Sequence, residues 1–276
     1  MTADEKVQID FSGPMQTCLL TLYGKALDAR AAQPLLGDRF AAAAVDRLDY
    51  DFSQIKSPKR LQAAAASRSK YFDDHVRKFL AERPRSTVLH LGAGLDARVW
   101  RVDPGPETDW IDVDLPEVVA AREKLFPARE RYRAFGASVV DPAVLEQASP
   151  DLPVLVVAEG LTMYLDPGEG QDLFRRTAER FPSGSIVFDT QSKLANRMVD
   201  RLLRRVFGQP MMRWPINDLA ALAASLPRTR CVEAFSAIEV SAKTTPMSRS
   251  QRVGAAIMLA IPPLRNIGHY ARFDFG

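Results

Sequence analysis

The chain has 276 residues, of which 46% are hydrophobic and 26% charged. That is enough apolar material for one sizeable core, in the proportions of an ordinary globular protein. Its 37 Lys and Arg against 34 Asp and Glu leave a formal charge of +3, too small and too dispersed to suggest nucleic acid as a partner. Two cysteines, Cys18 and Cys231, lie too far apart in sequence to suggest a disulfide framework or a thiolate zinc site, and no metal is expected. No apolar run reaches the ~18–20 residues of a membrane span. MTADEKVQID lacks the basic and apolar regions of a secretory signal. A cytoplasmic address without membrane association is therefore expected.

From residue 14 to 82 the pattern is helical. LLTLYGKALDARA and RFAAAAVDRL carry apolar residues at helical spacing. Pro58 is placed to open a third helix, KRLQAAAASRSKYFDDHVRKFLAER, which should stop before Pro84. At Thr87 the period changes. TVLHLG, DWIDVD, RYRAFGA, PVLVVAEG and GSIVFDT are short apolar runs, and PEVVAAREKLF, PAVLEQA and GEGQDLFRRTAERF between them are helix-like. Such alternation predicts parallel βαβ units. Near the end, RCVEAFSAIEV and GAAIMLAIP read as two further strands with a short, antiparallel connection. The stretch from Gln191 to Leu226 reads as a helical insertion after the fifth strand, interrupted at RWP. The expected architecture is one α/β domain. A helical cap over residues 1–84 would precede a doubly wound, mostly parallel seven-stranded sheet over 85–276.

Ligands in such sheets bind beyond the carboxyl ends of the strands. The first strand ends in LGAGLDAR, where Gly92 and Gly94 permit a sharp turn and close backbone approach. The second ends in Asp112 and Asp114; Asp114 lies 22 residues past Gly92, where a carboxylate can accept both hydroxyls of a ribose. A nucleoside ligand follows, but not its identity. Gly92, Gly94 and Ala97 also fit the G-x-G-x-x-A variant of a nicotinamide or flavin fingerprint, so an oxidoreductase is the rival class. Asp96 counts against it, because a carboxylate in the turn repels a pyrophosphate and tolerates a cationic sulfonium. The fourth strand ends in AEGLTMYL, which puts Glu159 at the same rim and makes Tyr164 a candidate for the substrate pocket.

Together, SRSKYFDD, VLHLGAGLDARVWRV, WIDVDLPEVVAAR and VVAEGLTMYL resemble the leucine carboxyl methyltransferase family, in particular its bacterial branch of polyketide-type (tetracenomycin-type) O-methyltransferases. The resemblance runs from about Thr17 to Trp214. It implies a class I methyltransferase fold, Rossmann-like, with S-adenosylmethionine as cofactor and a small-molecule methyl acceptor. It also implies that Arg68 meets the methionine carboxylate, that Gly92 lines the turn, that Asp114 holds the ribose, and that Glu159 sits by the methionine portion. Thr17 is the candidate for the first N-terminal contact. One departure stands out. Where the family carries Asp-Leu after the third strand, this chain has Ser138 and Val139, which leaves adenine recognition to a neutral hydroxyl and the backbone.

Methyl transfer to oxygen is an in-line displacement that needs alignment and exclusion of water. A carboxylate acceptor needs no base, whereas a phenol or alcohol usually benefits from one. His75, His90 and His269, the three histidines, stand in no base-like motif. The 191–226 segment carries Arg197, Arg201, Arg204, Arg205 and Arg213; one of them, with Arg197 the candidate, could hold an acidic acceptor. Met211, Met212 and Trp214 are candidates for an apolar pocket. The expectation is O-methylation of a polyketide-like carboxylate or hydroxyl, with the carboxylate preferred. Carboxyl methylation of a protein C-terminus is the alternative, and it would call for an open groove.

Overall fold

Strands that alternate with helices bury their apolar faces when the strands run parallel and helices cover both sides. The computed structural model, which describes residues 6–55, 58–245 and 248–276, takes this solution. Three helices come first: α1 (Gln16–Ala29), α2 (Arg39–Arg47) and α3 (Pro58–Glu82). Then follow β1 (Thr87–Leu91), α4 (Arg98–Val102), β2 (Asp109–Asp114), α5 (Pro116–Leu125), β3 (Tyr132–Gly136), α6 (Pro142–Glu146), β4 (Val154–Ala158), α7 (Pro167–Arg180) and β5 (Gly184–Gln191). The chain continues through α8 (Lys193–Phe207), α9 (Leu219–Ala224), β6 (Thr229–Ser236), α10 (Ala237–Thr244), α11 (Arg249–Ala260), α12 (Pro262–Arg265) and β7 (Gly268–Phe275). Among the described residues, no helix is long and apolar enough to cross a membrane.

The boundaries follow local chemistry. Pro116, Pro142 and Pro167 open α5, α6 and α7, where a missing N–H costs nothing. Asp38, Asp141, Asp166, Ser192 and Asp218 cap α2, α6, α7, α8 and α9 by accepting backbone N–H bonds. Strand order is β3-β2-β1-β4-β5-β7-β6. β1 lies between β2 and β4, with Leu89 opposite Ile111 and Val156. Every residue of β1 and β4 is buried, as strands covered on both faces require. The order reverses between β1 and β4, so a crevice opens beyond their carboxyl ends.

The C-terminal third corrects the expectation. GAAIMLA lies in α11 rather than in a strand and Pro262 opens α12; of RCVEAFSAIEV only RCVEAFS is strand, AIEV opening α10, so three helices join β6 to β7. Ser248 and Gln251 form a reciprocal capping box that starts α11, and a short apolar run does not by its period distinguish strand from helix. The final strand is GHYARFDF, antiparallel to both β5 and β6. Its Ala271, Phe273 and Phe275 are buried while Arg272 and Asp274 are half-buried, the period-2 signature of a strand.

Trp214 is 4% exposed and stands on α7, its ring tilted against Phe174. A Cβ at Gly170 would fall 2.1 Å from the Trp214 ring. Gly170→Ala is therefore expected to destabilise the fold by at least ~1–3 kcal/mol, the range for overpacking. Urea unfolding measures it; a change below ~0.5 kcal/mol would show that the indole shifts without cost.

Candidate active site

The chain after β1 must turn sharply to enter α4. Gly92 and Gly94 do so at φ +62° and +53°, a region closed to most side chains. The turn is also crowded. A Cβ on Gly92 would lie 3.0 Å from Leu161, and one on Gly94 would lie 3.0 Å from Cys18. Arg122, on α5 and 1% exposed, clamps the turn from below. Its Nη1 donates to the carbonyls of Gly94 at 2.7 Å and Asp96 at 2.8 Å.

Asp112 and Asp114 leave the same face of β2 but serve different depths. Asp112 is 1% exposed and accepts from Arg122, from Trp110 Nε1 at 2.8 Å and from Tyr132 at 3.1 Å. Burial works to raise its carboxyl, but Arg122 and His90 hold it below the usual carboxylate range. Asp114 stands at the strand end and lines a cavity of about 450 Å³. It accepts the backbone N–H of Gly94 at 2.6 Å and of Leu115 at 2.8 Å, and burial pushes its carboxyl above the usual value.

That cavity gathers every cofactor residue expected from the sequence: Thr17, Arg68, Gly92, Gly94, Asp114, Ser138, Val139 and Glu159 all line it. Asp141, the one carboxylate in the ASVVDP loop, turns away to cap α6 by accepting Ala143 N–H. Ser138 and Val139 are left at the cavity, as the sequence departure implies.

Glu159 is more constrained than a strand-end carboxylate needs to be. Its Oε1 accepts from Arg68 Nε and Ser69 Oγ, both at 2.9 Å, and its Oε2 accepts from Arg98. Burial opposes its ionisation, but Arg98 and Arg68 prevail and hold its pKa down at about 2. Arg98 belongs to a larger buried cluster, with its Nε 2.9 Å from Asp73 and its Nη2 3.1 Å from Asp96. Asp96 also pairs with Lys25 of α1 and Arg101 of α4, both at 2.9 Å. The carboxylate is thus neutralised by three cations. Its charge does not discriminate against a pyrophosphate in the way the bare sequence suggests.

His90 lines the cavity too, yet it is not placed as a base. Arg98 Nη1, which can only donate, lies 2.8 Å from its Nε2, and its Nδ1 lies 3.0 Å from Asp112 Oδ1. The contacts fix the Nδ1–H tautomer and occupy the remaining lone pair. His75 bridges the Tyr71 carbonyl and Glu233 and lies outside the cavity.

The other half of the cavity is apolar, with Met15, Leu20, Met163, Leu165, Val199, Leu203 and Met212 as walls and Thr21, Tyr164 and Gln191 between them. Tyr164 is hydrogen-bonded to Thr17, and burial pushes its phenol up. Three expected pocket residues are elsewhere: Trp214 is in the core over Gly170, Met211 is buried outside the cavity, and Arg197 is exposed. Arg201, Arg204, Arg205 and Arg213 are exposed as well. The Arg-rich segment turns Val199 and Leu203 inward and its charges outward, so it places no cation beside an acceptor.

The profile of one protein family, leucine carboxyl methyltransferase, matches residues 19–178. The chain belongs to that family. The tetracenomycin polyketide synthesis O-methyltransferase of Streptomyces glaucescens is 36% identical over 97% of this chain and 98% of its own length. A S-adenosyl-L-methionine-dependent methyltransferase of Gibberella zeae is 29% identical over 81% of this chain and 82% of its own. Among solved structures, a putative methyltransferase from Thermobifida fusca superposes with a TM-score of 0.56 at 20% identity, covering 91% of this chain and 94% of that one. A DUF574 family protein from Streptomyces avermitilis gives 0.55 at 15% identity, covering 93% and 96%. These two likenesses show the class I methyltransferase fold. The protein is an S-adenosylmethionine-dependent O-methyltransferase.

The cavity fits this family's cofactor. The glycine turn leaves room for backbone approach, and Asp114 offers a carboxylate at the end of β2. Sequence reading passed over Lys25, Asp73, Arg98 and Arg101, although Arg98 and Arg101 stand in the very motif that carries the resemblance. The available signal was LDARVWR itself, with two arginines three residues apart behind an aspartate in a turn that opens a helix.

Proposed function

We propose that the protein methylates a carboxylate oxygen of a small, mostly apolar, polyketide-like acid. One observation carries this reading: among the described residues, the polar groups in the apolar half of the cavity, Thr21, Tyr164 and Gln191, include none suited to take a proton from an acceptor, and Asp114, at the glycine turn, is taken up by the ribose in this reading. His90 has its lone pair engaged by Arg98. Asp96 and Glu159 are spent in ion pairs, and burial pushes the Cys18 thiol and the Tyr164 phenol up. An acceptor that arrives already ionised needs none of them. The apolar walls then help, because attraction between opposite charges strengthens as water is excluded.

S-adenosylmethionine, when bound, supplies an electrophilic methyl group and its own leaving group. The chain supplies alignment. In this reading Asp114 accepts from the ribose hydroxyls, and Ser138 and the Val139 backbone flank the adenine. The planar fork of Arg68 meets the methionine carboxylate, with Thr17 beside it. Glu159 acts through Arg68, fixing the guanidinium at 2.9 Å. The likeness to the Streptomyces enzyme over nearly its whole length supports a polyketide-type acceptor. Cavity walls from both α1 and α8 suit a small molecule better than a protein C-terminus. The same reading takes the chain as one domain, since Lys25, Asp38 and Asp73 of the helical cap all meet the charge cluster under the β1 turn.

The two acceptor chemistries differ in their response to pH. A carboxylic acid with a pKa near ~4 is ionised throughout the neutral range, whereas a phenol titrates near ~10. Single-turnover methyl transfer is therefore expected to be nearly flat from about pH 6 to 9, with a product ester released by mild alkali. A rate that climbs about tenfold per pH unit, with an alkali-stable ether as product, would overturn the carboxylate assignment and leave the cofactor site untouched.

A further inference from the structure

Beyond the end of β3 the cavity wall carries no charge. The loop there runs Ala137, Ser138, Val139, and all three line the cavity. Three carboxylates line it elsewhere, Asp96, Asp114 and Glu159. Asp96 and Glu159 are held in ion pairs with Lys25 and Arg98, and Asp114 stands at the end of β2. The carboxylate nearest in sequence to Ser138 is Asp141, which is not among the walls. Its Oδ1 accepts Ala143 N–H at 2.9 Å as the cap of α6.

The hydrogen-bonding groups of the loop divide into matched and unmatched ones. The Ser138 carbonyl accepts Asp141 N–H at 3.0 Å, and Ala137 N–H donates to the Asp114 carbonyl at 2.9 Å. The Val139 N–H and the Ser138 hydroxyl meet no protein group among the described residues. The two differ in what water can do for them. Val139 is a buried residue of the wall, where a backbone donor without a partner is costly. Ser138 is exposed at the rim, where water serves a hydroxyl nearly as well as a ligand does. An adenine edge offers two groups to such a pair: N1 accepts, and the 6-amino group donates. In hypoxanthine N1 carries a proton and position 6 is an oxygen.

We propose that this chain recognises the purine of S-adenosylmethionine at N1, through the Val139 N–H, and leaves the 6-amino group unread at Ser138. The proposal rests on the placement of adenine beside these two residues given above. A carboxylate at position 138 could only accept and would demand the amine, because a hydrogen bond to an ionised group is about twice as strong as a neutral one. The Ser138 hydroxyl turns to donate or to accept, and it loses little when the amine is absent, since water takes its place. The Val139 N–H has no such freedom. It can only donate, so it opposes a protonated N1. The site therefore excludes hypoxanthine and admits a purine with hydrogen at position 6.

The test is calorimetric binding to the full chain with three ligands: S-adenosylhomocysteine, its analogue with hydrogen in place of the 6-amino group, and S-inosylhomocysteine. The wild-type protein is expected to bind the first two within about threefold of each other, and the third at least about tenfold more weakly. Ser138→Asp should open a gap of about tenfold or more between the first two, whereas Ser138→Ala should leave them together. Each comparison is a ratio within one protein, so a variant that binds every ligand more weakly still reports. A wider wild-type gap between the first two ligands would overturn the proposal, and so would equal affinity for all three. If Ser138→Asp leaves the first two together, adenine does not lie beside Ser138, and its placement fails with the inference. If S-adenosylhomocysteine itself does not bind, the cofactor site fails before the purine is varied.

Discussion

Replacing Arg98 by methionine is expected to destabilise the folded protein by about 3–5 kcal/mol, the range for removing one partner from a buried ion pair. Arg98 is fully buried. It lies 2.9 Å from Asp73, 3.1 Å from Asp96 and 2.8 Å from His90 Nε2, it also pairs with Glu159, and its guanidinium sits over the Phe72 ring. Methionine fills comparable space but leaves three carboxylates with fewer cations than they need. The direction with pH follows from Glu159. Burial disfavours its charge, but Arg98 and Arg68 hold its folded pKa at about 2, below the ~4.3 of an unfolded chain. A depressed folded pKa gives stability that is present above ~4.3 and is lost as pH falls toward the folded value. Without Arg98 the folded pKa of Glu159 rises, so acid unfolding should begin at a higher pH in the variant. Urea titrations at neutral pH and an acid titration followed by circular dichroism measure both effects. Stability within ~1 kcal/mol of wild type, with an unmoved acid midpoint, would mean that Lys25, Arg68 and Arg101 suffice to balance the cluster.

That cluster also marks where sequence reading stops. The five parallel strands are legible because strands covered on both faces are unbroken apolar runs, and Gly, Pro and Asp punctuate their ends. The rim of the cavity is legible for the same reason: crossover geometry brings successive strand ends together, so Gly92, Asp114 and Glu159 follow from the strand ends, whereas Val139 follows only from the family resemblance; all four line the cavity. Arginines are different. Arg98, Arg101 and Arg122 are drawn inside by Asp38 at the cap of α2, Asp73 of α3, Asp112 of β2 and Glu159 just past β4, which only the tertiary fold brings near. Arg197 and Arg201 look no different in sequence and face water. A helical stripe did separate the two cases, since Val199 and Leu203 fall four residues apart on α8 and line the cavity. That stripe turns the arginines outward.

Asp114→Ala is expected to weaken S-adenosylhomocysteine binding by about 1.5–3 kcal/mol, the worth of hydrogen bonds to a charged group, or roughly 10–150-fold in affinity. Each Asp114 oxygen already accepts one backbone N–H, from Gly94 or from Leu115. A carboxylate oxygen can accept a second bond, which leaves both oxygens able to receive ribose hydroxyls. The substitution also removes the partner of Gly94 N–H, so a small loss of stability should accompany the loss of binding. The pH dependence separates the two effects. Burial raises the Asp114 carboxyl above its ordinary value, and hydroxyl donors favour the ionised form. Wild-type affinity should therefore fall as pH drops through that raised pKa, and the alanine variant should lack this dependence. Asp112 is a poor substitute for the role, because Arg122, His90, Trp110 and Tyr132 already claim its carboxylate. Calorimetric titrations of both proteins between about pH 5 and 8 test the assignment, and an alanine variant that binds as wild type does, with the same pH profile, would remove the ribose from the end of β2.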